Sequence, residues 1–171
     1  MMLAVAEQRS FSFAHAPWWR VSRNDPRARA LADRHYSRQS VGAAGFMPPG
    51  RLLVLLTPCA RAVWGVVENL DPAGGLHWRC SIFRNEGAGL SSDLIRDATT
   101  RTYAWWTMHY GALPAVPLRT EIDVDRTARG RSRRSRPGEC FLRAGWSVVG
   151  CTSGADKGRT SLLVLQAPEN T

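Results

Sequence analysis

Two short segments about fifty residues apart read as two halves of one site, the first with residue types and spacing suited to an anion. The first, Arg84-Asn85-Glu86-Gly87-Ala88-Gly89, has the spacing R-x-x-G-x-G and lies between a β-like run over 76–83 and a helix-like run over 91–110. Glycines at 87 and 89 permit positive φ and close approach of backbone to ligand, and a helix start offers unpaired N–H groups and the positive end of its dipole. The same glycines would also serve a plain strand-to-helix turn. The second, Pro137-Gly138-Glu139-Cys140-Phe141-Leu142-Arg143-Ala144-Gly145-Trp146, reads as a short helix passing through an Ala-Gly-aromatic step into a strand over 147–151.

Three further groups offer proton transfer or nucleophilic chemistry. The polar run His35-Tyr36-Ser37-Arg38 follows a helix and precedes a Gly/Pro loop. Glu121 and Asp123 alternate with Thr120 and Ile122, so an acid pair shares one face of a strand and either acid could take a proton from an amine or orient a water. Glu86 is a third candidate base, with pairing to Arg84 as the alternative. Cys140 is a candidate nucleophile, with a buried thiol as the alternative.

These side chains need a scaffold. A strand over 18–22 is followed by Asp25-Pro26, the N-cap and first-turn proline of a helix over 27–35. A loop covers 36–50. Strands over 51–57 and 62–69 form a hairpin, and 71–75 is a second turn. The strand over 76–83 presents Leu76, Trp78, Cys80 and Ile82 on one face. The helix over 91–110 repeats Leu94, Ile95, Ala98, Thr102, Trp105, Trp106 and His109 at three- and four-residue steps, with Ser91 or Ser92 as N-cap and Gly111 then Pro114 at its end. A strand over 118–124, a helix over 139–143 and strands over 146–151 and 159–166 complete the order β-α-β-β-β-α-β-α-β-β, an α/β (α+β) chain. Residues 1–16 read as a loose leader and 17–168 as a single domain with an arginine-rich loop at 126–136.

Composition narrows the partners. At 171 residues and 44% apolar, the chain can bury one good core. Lys+Arg 23 against Asp+Glu 14 gives a formal charge of +9, which points to a polyanion such as double-stranded DNA. Lys157 is the one lysine, so the charge is almost all arginine, and Arg126, Arg129, Arg131, Arg133, Arg134 and Arg136 crowd the 126–136 loop. Neutralising about six phosphates there would give a log–log salt slope of roughly −5. The four cysteines form no C-x-x-C, so neither a zinc module nor a disulfide framework is indicated, and a reduced, cytoplasmic chain fits. His77 and Cys80 fall on opposite strand faces, and no metal is assigned. The start has no basic lead and an early Glu7, unlike a secretory signal, and the chain has no run of eighteen apolar residues for a membrane span.

Taken together, the two Gly-containing segments in this order resemble the GNAT acyltransferase superfamily. The resemblance covers nearly the whole chain. It implies a mixed, mostly antiparallel sheet with flanking helices and central strands that splay apart at Ile82 to Asn85 and Thr120 to Asp123, where the arm of acetyl-CoA or a related acyl-CoA donor enters. By it, Phe83, Arg84, Asn85, Gly87, Gly89, Ser91, Ser92 and Cys140 would hold the donor. Many acetyl-transferring members carry a tyrosine four residues before the glycine of the helix-to-strand step; Phe141 stands there, which leaves Tyr36 or Cys140 to protonate a leaving thiolate.

Within the superfamily, the strings Arg34-His35-Tyr36-Ser37-Arg38, Ser81-Ile82-Phe83-Arg84-Asn85-Glu86 and Leu90-Ser91-Ser92-Asp93-Leu94-Ile95 resemble the Mom DNA-modification proteins of phages and prophages. Those proteins convert adenine in duplex DNA to a carbamoylmethyl derivative and shield the DNA from restriction, in a bacterial host or phage-infected cell. The resemblance implies that His35, Tyr36, Ser37, Arg38, Arg84, Asn85, Glu86, Ser91, Ser92 and Asp123 line the reaction site, with His35, Tyr36, Ser37, Asp123 and Glu86 as catalytic residues. Arg34 and Arg38 beside it, and Arg131, Arg133, Arg134 and Arg136 by the charge of their loop, are the candidates for DNA contact. Trp18, Trp19, Tyr36 and Phe46 are aromatics that could stack a flipped base. The alternatives are an acyl-CoA-dependent N-acetyltransferase acting on a small amine or protein, and a non-catalytic DNA-binding protein.

Overall fold

A computed structural model describes residues 18–124, 136–152 and 161–169. The proposed leader lies outside them, as does the arginine-rich loop apart from Arg136. Among the described residues the elements are β1 (Trp19–Arg20), α1 (Pro26–Asp33), β2 (Arg51–Leu56), β3 (Ala62–Leu70), β4 (Leu76–Asn85), α2 (Ser91–Tyr110), β5 (Arg119–Asp123), α3 (Glu139–Arg143), β6 (Ser147–Thr152) and β7 (Leu162–Gln166). Their order is the one expected from the sequence. The seven strands form one sheet in the order β1-β2-β3-β4-β5-β7-β6, antiparallel everywhere except between β4 and β5. This is a mixed α+β fold.

Local chemistry explains the boundaries. Asp25 caps α1 through its side chain, accepting from the Arg27 and Ala28 amides, with Pro26 in the first turn. Helix α2 ends at Gly111, whose φ of 81° is left-handed and whose N–H returns to the Thr107 carbonyl. Its start differs from expectation. Leu90 is the N-cap and supplies no side-chain bond, while Ser91 is already helical. Strand β4 also runs two residues past Phe83, so Arg84 and Asn85 belong to the strand.

Helices cover the sheet on both faces. Helices α2 and α3 pack on one face over Leu53, Trp64, Val66, Trp78, Cys80 and Leu165; α1 packs on the other over Val54, Val63, Val67 and Ile82. The expected alternation of Leu76, Trp78, Cys80 and Ile82 on one face therefore fails at its last member. A bulge is the reason: Gly65 pairs with Ile82 and Val66 with Cys80, leaving Ser81 as the extra residue and shifting the phase of everything after it. Helix α2 is tied to the sheet by indoles as well as by apolar contact. Trp64 Nε1 donates to Thr102 Oγ1 at 3.0 Å and Trp146 Nε1 to Thr99 Oγ1 at 3.2 Å, so the two threonines on the buried face satisfy donors that would otherwise be stranded.

Candidate functional site

Strands β4 and β5 pair over Arg79–Arg119 and Cys80–Thr120 and then separate, although β4 continues to Asn85 and β5 to Asp123. A cavity of about 290 Å³ opens between the separating ends. Its walls are Cys80, Ile82, Phe83, Arg84 and Asn85 of β4, Thr120 and Ile122 of β5, Gly138, Cys140 and Phe141 at α3, Ser91 of α2, and His35 and Tyr36 from the loop after α1. The two segments singled out in the sequence thus meet, joined by the His-Tyr run from a third place in the chain.

The Gly-containing turn is organised by one side chain. Asn85 Oδ1 accepts from the Gly87 and Ala88 amides at 3.1 and 2.9 Å, and Asn85 Nδ2 donates to Gly89 O and Ser91 Oγ at 2.8 and 2.9 Å. Gly87 and Gly89 have positive φ, 88° and 153°. The expectation that the turn's backbone cradles an anion is corrected here: the Gly87 and Ala88 amides point at Asn85. The groups suited to an anion are the first amides of α2, at Ser91 and Ser92, which Leu90 leaves uncapped.

Arg84 and Glu86 also take roles other than those expected. Glu86 is clamped between Arg34, with two bonds of 2.8 Å, and Arg84 Nε at 2.6 Å, and Arg84 Nη1 donates to the Arg34 carbonyl. The two guanidiniums hold the Glu86 carboxyl down at about 2, so it is ionised and a poor base. The network fastens the end of α1 to the turn before α2, and it occupies the guanidiniums assigned to donor (Arg84) and DNA (Arg34). Arg38, the other DNA candidate of this loop, is likewise turned inward: it pairs with Asp33 at 2.8 Å and donates to the Ala43 and Gly45 carbonyls, bracing the 36–50 loop.

His35 is fixed inside the cavity wall. Its Nδ1 lies 2.7 Å from Ser37 Oγ and accepts from the Ser37 amide at 3.3 Å, which places the ring proton on Nε2. Burial, with the Arg84 guanidinium as a second cause, lowers the imidazole to about 4, and a hydrogen bond to the Phe83 backbone opposes this in part. The ring is neutral at physiological pH. Tyr36 packs against it with centroids 4.3 Å apart.

The remaining expectations divide. Cys140 lines the cavity. Ser37 lines a second cavity of about 440 Å³ on the α1 side of β4, together with Gln39, Phe46, Met47, Ser81 and Ile82. Asp123 does not line the first cavity: on β5 it alternates with Thr120 and Ile122, which do. Trp18 is core, with its Nε1 on the Leu94 carbonyl at 3.3 Å, and Trp19 is exposed at the sheet edge. Ser92 is buried in the first turn of α2 and Arg136 is exposed; Arg131, Arg133 and Arg134 lie outside the described residues. Phe141 is buried against Trp64, Phe83 and Trp146.

Sequence reasoning placed Thr120 at the opening between the two splayed strands, but missed Cys80 and Gly138 as cavity residues. Thr120 Oγ1 donates to the Cys80 carbonyl at 3.0 Å across the last rung before the split. Gly138 has a φ of 78°, and a Cβ there would meet Ile122 and Leu165 at 3.0 Å. The Pro137-Gly138 turn was the available signal for Gly138; Cys80 needed the strand pairing. Among the described residues no three His, Cys, Asp or Glu side chains converge as metal ligands, and no helix is long and apolar enough to cross a membrane. The chain matches no protein-family model and none of the curated proteins.

Proposed function

We propose that this chain is a GNAT-type group-transfer enzyme of the Mom-like kind, which modifies the exocyclic amine of adenine in double-stranded DNA by carbamoylmethylation and so protects that DNA from restriction. The observation that carries the reading is the meeting of His35 and Tyr36 with Asn85, Ser91 and Cys140 in the cavity between the separating ends of β4 and β5. The formal charge of +9 supports a nucleic-acid substrate. The second cavity supports a base acceptor, since Phe46 offers a ring for stacking and Gln39 an amide that can pair with an adenine edge.

The residues present fit an acyl-CoA or related donor in two respects. The uncapped first turn of α2 suits a phosphate, and the cavity between β4 and β5 suits a narrow arm. To give a carbamoylmethyl product the donor would have to present a carboxamide-bearing CH2 carbon and a leaving group for the adenine amine to displace; the thioester carbonyl of an acyl-CoA would give an N-acyl product, so a related donor is implied rather than acetyl-CoA itself. Ser91 and Ser92 amides would hold its phosphate. Asn85 keeps the turn in shape. His35, engaged by Ser37 and by the Phe83 backbone, positions the loop, and Tyr36, in the cavity, is the residue to move a proton at its Oη. Asp123 and Glu86 are left out of proton transfer by their placement and pairing. Adenine's amine is a weak nucleophile, so positioning supplies much of the acceleration.

The test is nucleoside mass spectrometry on DNA from cells expressing the chain or its Tyr36→Phe variant. The expected result is a new adenine-derived nucleoside with the intact protein and its loss by at least about a hundredfold in the variant, the scale of an acid–base residue. Unmodified DNA in the presence of folded protein would refute the proposal.

A further inference from the structure

The rung that joins β4 to β5 contains an arrangement unlike the rest of the sheet. Arg79 and Arg119 are direct partners across the parallel pair, on strands about 4.8 Å apart. Both side chains lie on the face opposite α2, since the neighbouring Cys80 and Thr120 face the core beneath that helix. Like charges paired directly across a ladder destabilise it. The Arg79 Nε is moreover buried and has no hydrogen-bond partner among the described residues. Among the described residues Arg119 Nε reaches only the Gln166 side-chain oxygen, at 3.3 Å.

Both arginines line a cavity of about 320 Å³ whose other walls include Val116, Pro117 and Val164. Neither arginine forms an ion pair among the described residues. Glu121 lines the same cavity two residues along β5, without closing on either arginine, and His77 is taken by Asp71 at 2.9 Å. Two adjacent forks with an unmet buried N–H are the donor set for a bidentate oxyanion. Apolar walls beside them suit a ligand with an apolar body.

We propose that Arg79 and Arg119 bind a small organic oxyanion, a carboxylate or phosphomonoester with an apolar body, in this cavity. The site stands apart from the reading of the β4–β5 split as a transferase cavity and does not depend on it. It has a structural consequence for that cavity all the same. The next rung, Cys80–Thr120, is the last before the strands part, and both residues line the cavity beyond. An anion between the arginines replaces repulsion by attraction at the joint of the two sheet halves and stiffens the split.

The full chain is tested by thermal unfolding at constant ionic strength, with chloride replaced stepwise by benzoate, phenyl phosphate, inorganic phosphate or a short DNA duplex. The expected result is a saturable rise in Tm with benzoate or phenyl phosphate, the better of the two identifying the head group. In Arg79→Met and Arg119→Gln the apparent affinity falls by about tenfold or more. In chloride alone Arg79→Met is expected to be at least as stable as the parent, because the repulsion and the unmet donor are both gone. Equal shifts in the parent and both variants would mean a general salt effect and overturn the site. So would a response to the duplex alone, or to inorganic phosphate as strongly as to phenyl phosphate. A less stable Arg79→Met in chloride would make Arg79 a packing residue instead. Should that variant fail to fold, the exposed Arg119→Gln carries the comparison.

Discussion

Acid should weaken this protein through His35 as pH falls from 6.5 towards 4. Burial, followed by the Arg84 guanidinium, lowers the imidazole from 6.5 to about 4. Between those values the unfolded chain binds a proton that the folded chain refuses. Stability therefore rises with pH across this window: the contribution is fully present above 6.5 and lost as pH falls towards 4. At about 1.36 kcal/mol per pH unit, the difference between pH 7 and pH 4.5 integrates to about 2.4 kcal/mol. The ring is only partly shielded, so about 2 kcal/mol is the expected loss. Asp25, Asp33, Asp71 and Glu86 are all held below their ordinary 3.8 or 4.5 by hydrogen-bonded or charged partners, and their contributions go at lower pH still.

The assay is urea unfolding followed by tryptophan fluorescence at half-unit steps from pH 7 to pH 4.5, for the parent and His35→Gln. The parent should lose about 2 kcal/mol across the range through this group, and the variant should lack that part of the slope. Protonation of the folded chain removes the acceptor that Nδ1 offers to the Ser37 amide, so the Ser37 amide resonance should hold still through most of this range and move only as pH approaches 4. Identical pH slopes for the two proteins would refute the reasoning, because His35 would then titrate alike folded and unfolded.

Two further outcomes follow from the cavity walls and the thiols. Gly138→Ala places a Cβ 3.0 Å from Ile122 and Leu165 at a φ of 78°; thermal melts should show a loss of about 1–3 kcal/mol, and an unchanged melt would contradict the crowding. On alkylation with iodoacetamide followed by mass mapping, Cys59 should react before Cys80. Cys59 is exposed and the Thr57 hydroxyl lowers its thiol, whereas burial pushes the Cys80 thiol up. Early modification of Cys80 in native buffer would contradict its burial.

Much of the scaffold was legible because the signals were local. Asp25-Pro26 marked the start of α1 and Gly111 the end of α2, and apolar spacing marked the strands, since caps and periodicity act over a few residues. The Ser91 or Ser92 cap failed because Asn85, on the preceding strand, takes the Ser91 hydroxyl. Ile82 was assigned to the wrong face because a single extra residue at Ser81 reverses the alternation, and that bulge exists only in the pairing of β4 with β3.

The candidate site shows the same division between near and distant interactions. Composition and motif spacing by themselves determined the order of the elements, the basic charge and the two Gly-containing segments that meet at the cavity. Tertiary structure alone decided which polar groups are already spent. Pairing of Glu86 with Arg84 was an open alternative in the sequence, but Arg34 joined them, 52 and 50 positions away, only when the fold closed the clamp. Asp123 read as a base until β5 turned Thr120 and Ile122 towards the cavity in its place. Local sequence dictates what a side chain can do, but a hydrogen bond is satisfied by whichever partner the folded backbone brings within 3 Å or so, and for Glu86 and Arg84 that partner includes Arg34, some fifty residues away.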